Sequence, residues 1–181
     1  MRFGHGWFNP FFLAALLMLF AQGCATPEEK EKRKEASTLR FYMETDIEED
    51  AKSALVPVVR SNPVVVRIEK TAFLDEGSLK DAAVIETLGG FAIQVKLDFH
   101  GTLVLENVTT SYKGRRMVIY SMFTQGRWLA APQISDRISD GVFTFTPDAS
   151  REEADRIVRG LINVAVKLGN RSKTDEPPKK K

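Results

Sequence analysis

The C-terminal part of the chain carries the pattern that most restricts its fold, a helix with one apolar face. Ser150 and Glu153 form a capping-box pair at its start, and Gly169 is the residue type that ends a helix in the left-handed conformation. A helix of this kind packs its apolar face on a second layer of structure. The apolar residues at 3.6-residue spacing are Ala154, Ile157, Val158, Leu161, Ile162, Ala165 and Leu168.

Alternating segments predict the strands of that second layer. In residues 90–99 every second residue is apolar, which is the pattern of a strand with one buried face. The run 117–123 is apolar at almost every position, as in a central strand. Alternation, β-branched composition and turn signals predict four further strands, at 39–44, 64–68, 128–131 and 141–146.

Two other segments give weaker signals. Residues 102–113 have helical spacing, but their threonines and valines lower helix propensity, so periodicity alone does not decide between helix and non-helix. Residues 47–56 are predicted as a short helix after Asp46, ended by Pro57. The element order predicts an α+β domain, with one antiparallel or mixed sheet and two main helices on one face, ferredoxin-like in character.

The N-terminus resembles a bacterial lipoprotein signal. Eleven apolar residues run from Phe11 to Ala21, too few to span a bilayer, and Cys24 follows them directly after Gly23. We predict that residues 1–23 are a signal peptide and that Cys24 is acylated, which anchors the chain to a membrane. The alternatives are an ordinary secretory signal cut near Ala21 or Ala25, or an uncleaved anchor. The residue after the cysteine is Ala25 and not aspartate, which by analogy with the sorting rules of enteric bacteria favours the outer membrane over the inner one.

Composition limits the chemistry. The chain has 26 Lys+Arg against 24 Asp+Glu, which gives no electrostatic case for nucleic-acid binding. With one cysteine and two histidines, the chain cannot build a zinc site from cysteines. His100 is the single histidine that remains once the predicted signal peptide is removed. Asp136 and Asp140 are close enough in sequence to form a carboxylate pair, but solvated loop acids are the better interpretation. We therefore predict no enzyme activity, no cofactor and no metal.

Both ends of the chain differ from its centre. Residues 24–37 are charged and lack large apolar side chains, so they are predicted to form a flexible or transiently helical tether. Residues 170–181 are predicted to be a disordered basic tail. A single domain is predicted between them, at 38–169.

Residues 79–168 resemble the head part of the first periplasmic domain of SecD and of its fused SecDF forms. The resemblance rests on Gly-Arg-Arg-Met-Val-Ile at 114–119, Leu-Ala-Ala-Pro-Gln-Ile at 129–134 and Glu-Glu-Ala-Asp-Arg-Ile at 152–157. It implies a helix at 102–113 and a role in binding protein or peptide. No segment after Cys24 has the roughly 20 apolar residues of a transmembrane helix, so the proton-coupled export activity of SecD is not implied.

Together these observations predict a lipid-anchored, non-enzymatic module of the bacterial cell envelope. It would face the periplasm and bind protein or peptide, in connection with protein export or envelope assembly. The alternative is a structural envelope scaffold that handles no polypeptide. Arg127 and Trp128, beside the Gln125-Gly126 turn, are candidate peptide contacts, and a core position for Trp128 is the competing interpretation.

Overall fold

The computed structural model of the protein describes residues 27–60 and 62–171. The predicted signal peptide, Cys24 and residues 172–181 of the predicted tail lie outside them. The chain divides into two units, 1–31 and 32–181. In the first unit only residues 27–31 are described, and they begin helix α1 (Pro27–Lys34) within the segment predicted to be a tether.

In the second unit, the described residues form eight strands and two long helices. The strand pairs are all antiparallel, and they give three sheets with the strand orders β1-β6-β7, β2-β3 and β4-β5-β8. In chain order the elements are β1 (Thr38–Met43), β2 (Ser53–Val58), β3 (Val64–Glu69), β4 (Leu79–Thr87), β5 (Gly90–Leu97), α2 (Phe99–Ser111), β6 (Met117–Met122), β7 (Gly126–Ala130), β8 (Val142–Phe145) and α3 (Arg151–Leu168).

These elements confirm the α+β class, although the strands are divided among three sheets where the sequence predicted one. The β1-β6-β7 sheet has structure on both faces. Met117 and Ile119 of β6 belong to the main core, whereas Val118 packs with Val56 and Val66 of the β2-β3 hairpin. This explains why β6 is apolar at nearly every position, as predicted for a central strand.

The helix predicted at 47–56 is wrong, because residues 53–58 form strand β2. Val56 and Val58 point into the second apolar cluster, whereas Leu55 and Pro57 are exposed on the opposite face. Pro57 therefore stands within a strand and does not end a helix. The sequence patterns predict no strand at 79–87, where the structure has β4. This strand pairs with β5 across the turn at Gly89.

Helix α3 has the ends that its sequence predicts. The Ser150 hydroxyl accepts the Glu153 N–H at 3.2 Å, and Gly169 is left-handed with φ 81°. The helix packs most extensively on β4 and also on β1 and β5. Its apolar stripe covers the main core, where Ala154 and Ala165 have no exposed surface.

The segment at 102–113, for which periodicity alone did not decide between helix and non-helix, lies mostly within helix α2. Asp98 caps it by accepting the Gly101 N–H at 2.7 Å, and Leu105 is its fully buried apolar side chain. Thr109 is buried without loss because its hydroxyl donates to the Leu105 carbonyl at 2.8 Å. The helix thus reaches the core with a mixed face and a threonine that hydrogen-bonds its own turn.

Candidate functional site

The two residues predicted to contact peptide lie on opposite faces of β7. Arg127 and Trp128 are consecutive in the strand, and successive side chains of a strand point to opposite sides. The half-buried Trp128 ring lies 5.2 Å from the Tyr42 ring and 4.9 Å from the Tyr120 ring, both at steep angles. It packs against the cluster beneath the β2-β3 hairpin. The structure therefore does not bring Arg127 and Trp128 together in one surface.

Arg127 lies in a polar cleft of about 200 Å³ beside the first turn of α3. Its guanidinium is 2.5 Å from a Glu153 carboxylate oxygen, and the Arg127 side chain is only 17% exposed. Glu153 also lies 3.8 Å from Arg60, which pairs with Asp148 at 3.4 Å. Two arginines and one carboxylate thus line the cleft, and Asp148, which is outside the lining, pairs with Arg60.

The rim of this polar cleft carries backbone strain. Val59 has φ 68°, and a β-branched side chain is rarely found in the left-handed region. The next residue is attached to the segment before α3, since the Arg60 N–H donates to Asp148 Oδ2 at 2.9 Å. The strain thus accompanies a specific attachment of the β2-β3 hairpin to the segment before α3.

A second cleft, of about 210 Å³, opens between β8 and the segment that follows β7. We call it the β8 cleft. It is lined by Thr109, Met117, Pro132, Gln133, Ile134, Ser135, Asp136, Ile138, Phe143 and Thr144. Half of these residues are apolar, and Asp136 is the one with a charge. The lining thus combines apolar surface with hydrogen-bonding groups, and the cleft is smaller than the roughly 300–1,000 Å³ of typical small-molecule sites.

Thr109 fixes the loop that forms one side of the β8 cleft. Its hydroxyl oxygen accepts the Ile138 N–H at 3.0 Å, in addition to donating to the Leu105 carbonyl. Asp140 continues the same loop and accepts the Val142 N–H at 3.0 Å, at the start of β8. Asp140 is therefore used as a strand cap, whereas Asp136 makes no hydrogen bond or ion pair with another described residue.

The described residues offer little else for chemistry. Within 27–60 and 62–171, no cluster of three or more His, Cys, Asp or Glu side chains is placed to hold a metal ion. His100 is exposed in the first turn of α2. Arg151, outside both clefts, hydrogen-bonds Glu86, and this bond raises the pKa of its guanidinium above the ordinary value.

The family of the chain follows from a comparison with known protein families. The SecDF P1 head subdomain matches residues 53–163. The chain belongs to this family. The match begins before residue 79, where the sequence motifs had placed the start of the resemblance, and so includes the β2-β3 hairpin. A search of curated proteins finds no match.

Solved structures of SecDF share the fold. One, described as a membrane component that enhances protein export, has 16% identity and a TM-score of 0.52, and the match covers 78% of this chain and 70% of that one. Another, SecDF in a super-membrane-facing form, has 16% identity and a TM-score of 0.53, with 77% and 21% covered. The chain thus spans about a fifth of that second structure. Among the residues described here, no helix is long and apolar enough to cross a membrane.

Residues 35–37, which precede the family match, contact α3. We call residues 35–37 the strap. Glu35 pairs with Arg156 at 3.2 Å and with Arg159 at 2.8 Å, and Asn163 donates to the Glu35 carbonyl at 2.9 Å. The buried Ser37 hydroxyl lies 3.2 Å from that of Ser121. The strap therefore joins the start of β1 to the C-terminal helix.

Proposed function

We propose that this protein is a lipid-anchored, non-enzymatic module that faces the periplasm, binds polypeptide and takes part in protein export. The observation that carries the proposal is the match of residues 53–163 to the SecDF P1 head subdomain. SecDF itself is described as enhancing protein export. The head subdomain here stands on a chain whose own N-terminus has the features of a lipoprotein signal, so its membrane attachment would come through a lipid.

The lipid anchor rests on the position of one residue. Cys24 is the single cysteine of the chain, and it follows an eleven-residue apolar run after a small residue, Gly23. Two or more acyl chains attach a protein stably to a membrane, whereas one does not. In sequence, residues 25–34 separate Cys24 from the strap, which begins at Glu35.

The anchor is tested by the intact mass of the protein isolated from membranes, beside a Cys24→Ser variant. We expect the mass of residues 24–181 plus acyl chains in the wild type, and loss of the acyl mass and of membrane attachment in the variant. An unmodified wild-type mass overturns the lipid anchor. Separating inner from outer membranes in the same preparation determines which of the two holds the protein.

Polypeptide binding is tested by cross-linking in cells that export a slowly translocating precursor. Wild-type protein is expected to cross-link to the precursor, and the Cys24→Ser form, released from the membrane, is expected to do so less efficiently. If neither the precursor nor a chemically unfolded protein is captured, the chain does not bind polypeptide. Defective envelope integrity with normal secretion would then favour the structural scaffold.

A further inference from the structure

Strand β8 has an edge that no other described strand covers. In the β4-β5-β8 sheet, β8 pairs with β5 on one side only. Its other side faces the β8 cleft, which Phe143 and Thr144 line. An open strand edge presents backbone N–H and C=O groups that pair readily with another chain. We propose that the β8 edge takes an extended segment of a non-native polypeptide as an additional strand. The inference rests on the proposed polypeptide binding and assigns it a site and a mode.

The phase of the β5-β8 ladder shows which backbone groups are open. The Leu97 N–H donates to the Gly141 carbonyl at 2.9 Å, so these two residues stand at a hydrogen-bonded position of the ladder. Hydrogen-bonded and non-bonded pairs alternate along an antiparallel ladder, so Phe143 also bonds to β5 and its neighbours do not. The backbone groups of Val142 and Thr144 therefore point away from β5.

Only part of this outward row is already used. The Asp140 carboxylate accepts the Val142 N–H, so this N–H is not available to an added strand. The Val142 carbonyl and both backbone groups of Thr144 have no hydrogen-bond partner among the described residues. These three groups in sequence are an acceptor, a donor and an acceptor, which is the set that one added strand uses.

The opposite wall of the β8 cleft has a similar arrangement. The segment after β7 pairs with residues 115–117 at the start of β6, through Met117 N–H to the Pro132 carbonyl at 2.9 Å and Ile134 N–H to the Arg115 carbonyl at 2.9 Å. These bonds flank Gln133, so its own backbone groups point away from β6. Gln133 and Thr144 line the same cleft, which thus lies between two strand edges.

The side chains indicate what kind of segment fits. Met117, Ile134 and Phe143 give the cleft an apolar floor, which favours a segment with an apolar residue at alternate positions. Asp136 supplies the one charge in the lining, without a partner among the described residues, and this favours Lys or Arg beside the apolar positions. A site that binds a segment through its main-chain groups accepts many different sequences, as binding of varied unfolded chains requires.

The test uses fluorescence anisotropy with the purified mature protein and a labelled peptide, acetyl-Lys-Thr-Val-Thr-Val-Thr-Lys-amide. The protein variant is Thr144→Pro, which removes the outward N–H and keeps the backbone hydrogen bonds between β5 and β8, since proline is tolerated on a strand edge. Its loss of the 3.4 Å contact between the Gln94 amide and the Thr144 hydroxyl is shared by its matched control. The matched control is Thr144→Val, which keeps the backbone groups. A second control leaves the protein unchanged and methylates the three central amide nitrogens of the peptide.

We expect Thr144→Pro and the methylated peptide each to weaken binding about tenfold, from lost backbone hydrogen bonds and the added bulk. Thr144→Val should bind within about twofold of the wild type, because a strand edge is read through its backbone. Replacing both peptide lysines by glutamate should weaken binding about two- to fivefold, and Asp136→Asn should abolish that difference, as for an exposed ion pair.

Equal binding of the methylated and unmethylated peptides, or no binding of the unmethylated one, overturns the inference without depending on any variant. Capture of reduced, carboxamidomethylated lysozyme separates this failure from that of the proposed function. If wild type and Thr144→Pro capture it equally, polypeptide binding stands and its site lies elsewhere. If wild type captures none, both proposals fail together.

Discussion

Replacing Gly160 by alanine tests whether the strap is an integral part of the fold. A Cβ at this position would lie 2.7 Å from the Ser37 nitrogen and 2.9 Å from the Ala36 carbonyl carbon. Both are backbone atoms, which cannot rotate away as the end of a side chain can. The strap would have to retreat by about 0.7 Å to reach the 3.4 Å at which ordinary contacts begin.

Two opposing effects set the magnitude. Alanine is favoured over glycine inside a helix by about 1 kcal/mol. Overpacking a close contact costs about 1–3 kcal/mol. Movement of the strap also strains the buried contact between the Ser37 and Ser121 hydroxyls, and a buried hydrogen bond is worth about 1 kcal/mol. We therefore expect Gly160→Ala to lower the free energy of unfolding by about 1–2 kcal/mol, against its helix propensity.

Urea unfolding measures this change. Trp128 is the one tryptophan left after residues 1–23 are removed, so its fluorescence reports the transition. The control is the same substitution in a chain that starts at Thr38 and so has no strap. There the three atoms nearest to the added Cβ are absent, and the change should reverse to a stabilisation of up to about 1 kcal/mol. If Gly160→Ala is as stable as the wild type in the full mature chain, the strap does not lie against α3 as described.

Three further substitutions are expected to separate folding from binding. Thr109→Val removes the acceptor of the Ile138 N–H and should cost about 1–3 kcal/mol in urea unfolding, since that group lies partly buried. Gly141→Ala should cost about 1–3 kcal/mol because its φ of 68° is left-handed and a Cβ would overlap the Thr102 hydroxyl. Adding Thr102→Ala should recover only part of that loss. Trp128→Ala should cost about 2 kcal/mol by thermal unfolding, less than for a fully buried ring. Retained stability with lost peptide binding would instead make Trp128 a binding residue.

The sequence predicts elements whose signals are local. Strand β5 alternates from Ile93 to Leu97, and α3 has a cap, a stripe and a terminal glycine within one continuous segment. Neither prediction requires knowledge of a partner element. The same holds for β6, whose apolar character on both faces already indicates a central position.

The failures occur where signals compete or where pairing is distant. Acidic residues at 48–50 resemble the start of a helix, yet residues 53–58 form a strand that pairs with β3. Strand β4 is interrupted by Lys80 and Asp81, and a register shift lies there, so its period of two is broken. The division into three sheets depends on non-local pairs such as β1 with β6, which no local pattern encodes.

The candidate sites show the same limit. Arg127 and Trp128 are adjacent in sequence, but the pleat of β7 separates them onto two faces. Gln133 and Thr144 are in different segments, but they line one cleft. The available signal for this cleft was the alternation of residues 141–146, a short strand after a glycine, and it identified the strand without indicating which edge stays open.

The region that defines the family is not the region that completes the core. Strand β1 precedes residue 53 but pairs with β6 over its full length, and Leu39, Phe41 and Met43 are buried in the main core. Burying one such side chain stabilises a fold by about 1.5–3 kcal/mol, so the three together are comparable with the roughly 5–15 kcal/mol stability of a whole domain. Because the strap leads directly into β1, the connection toward the N-terminus is held by a core strand and by α3 at once. A load applied through the strap would therefore act on the hydrogen-bonded β1-β6 pair before it reached strand β8, which lies in a different sheet.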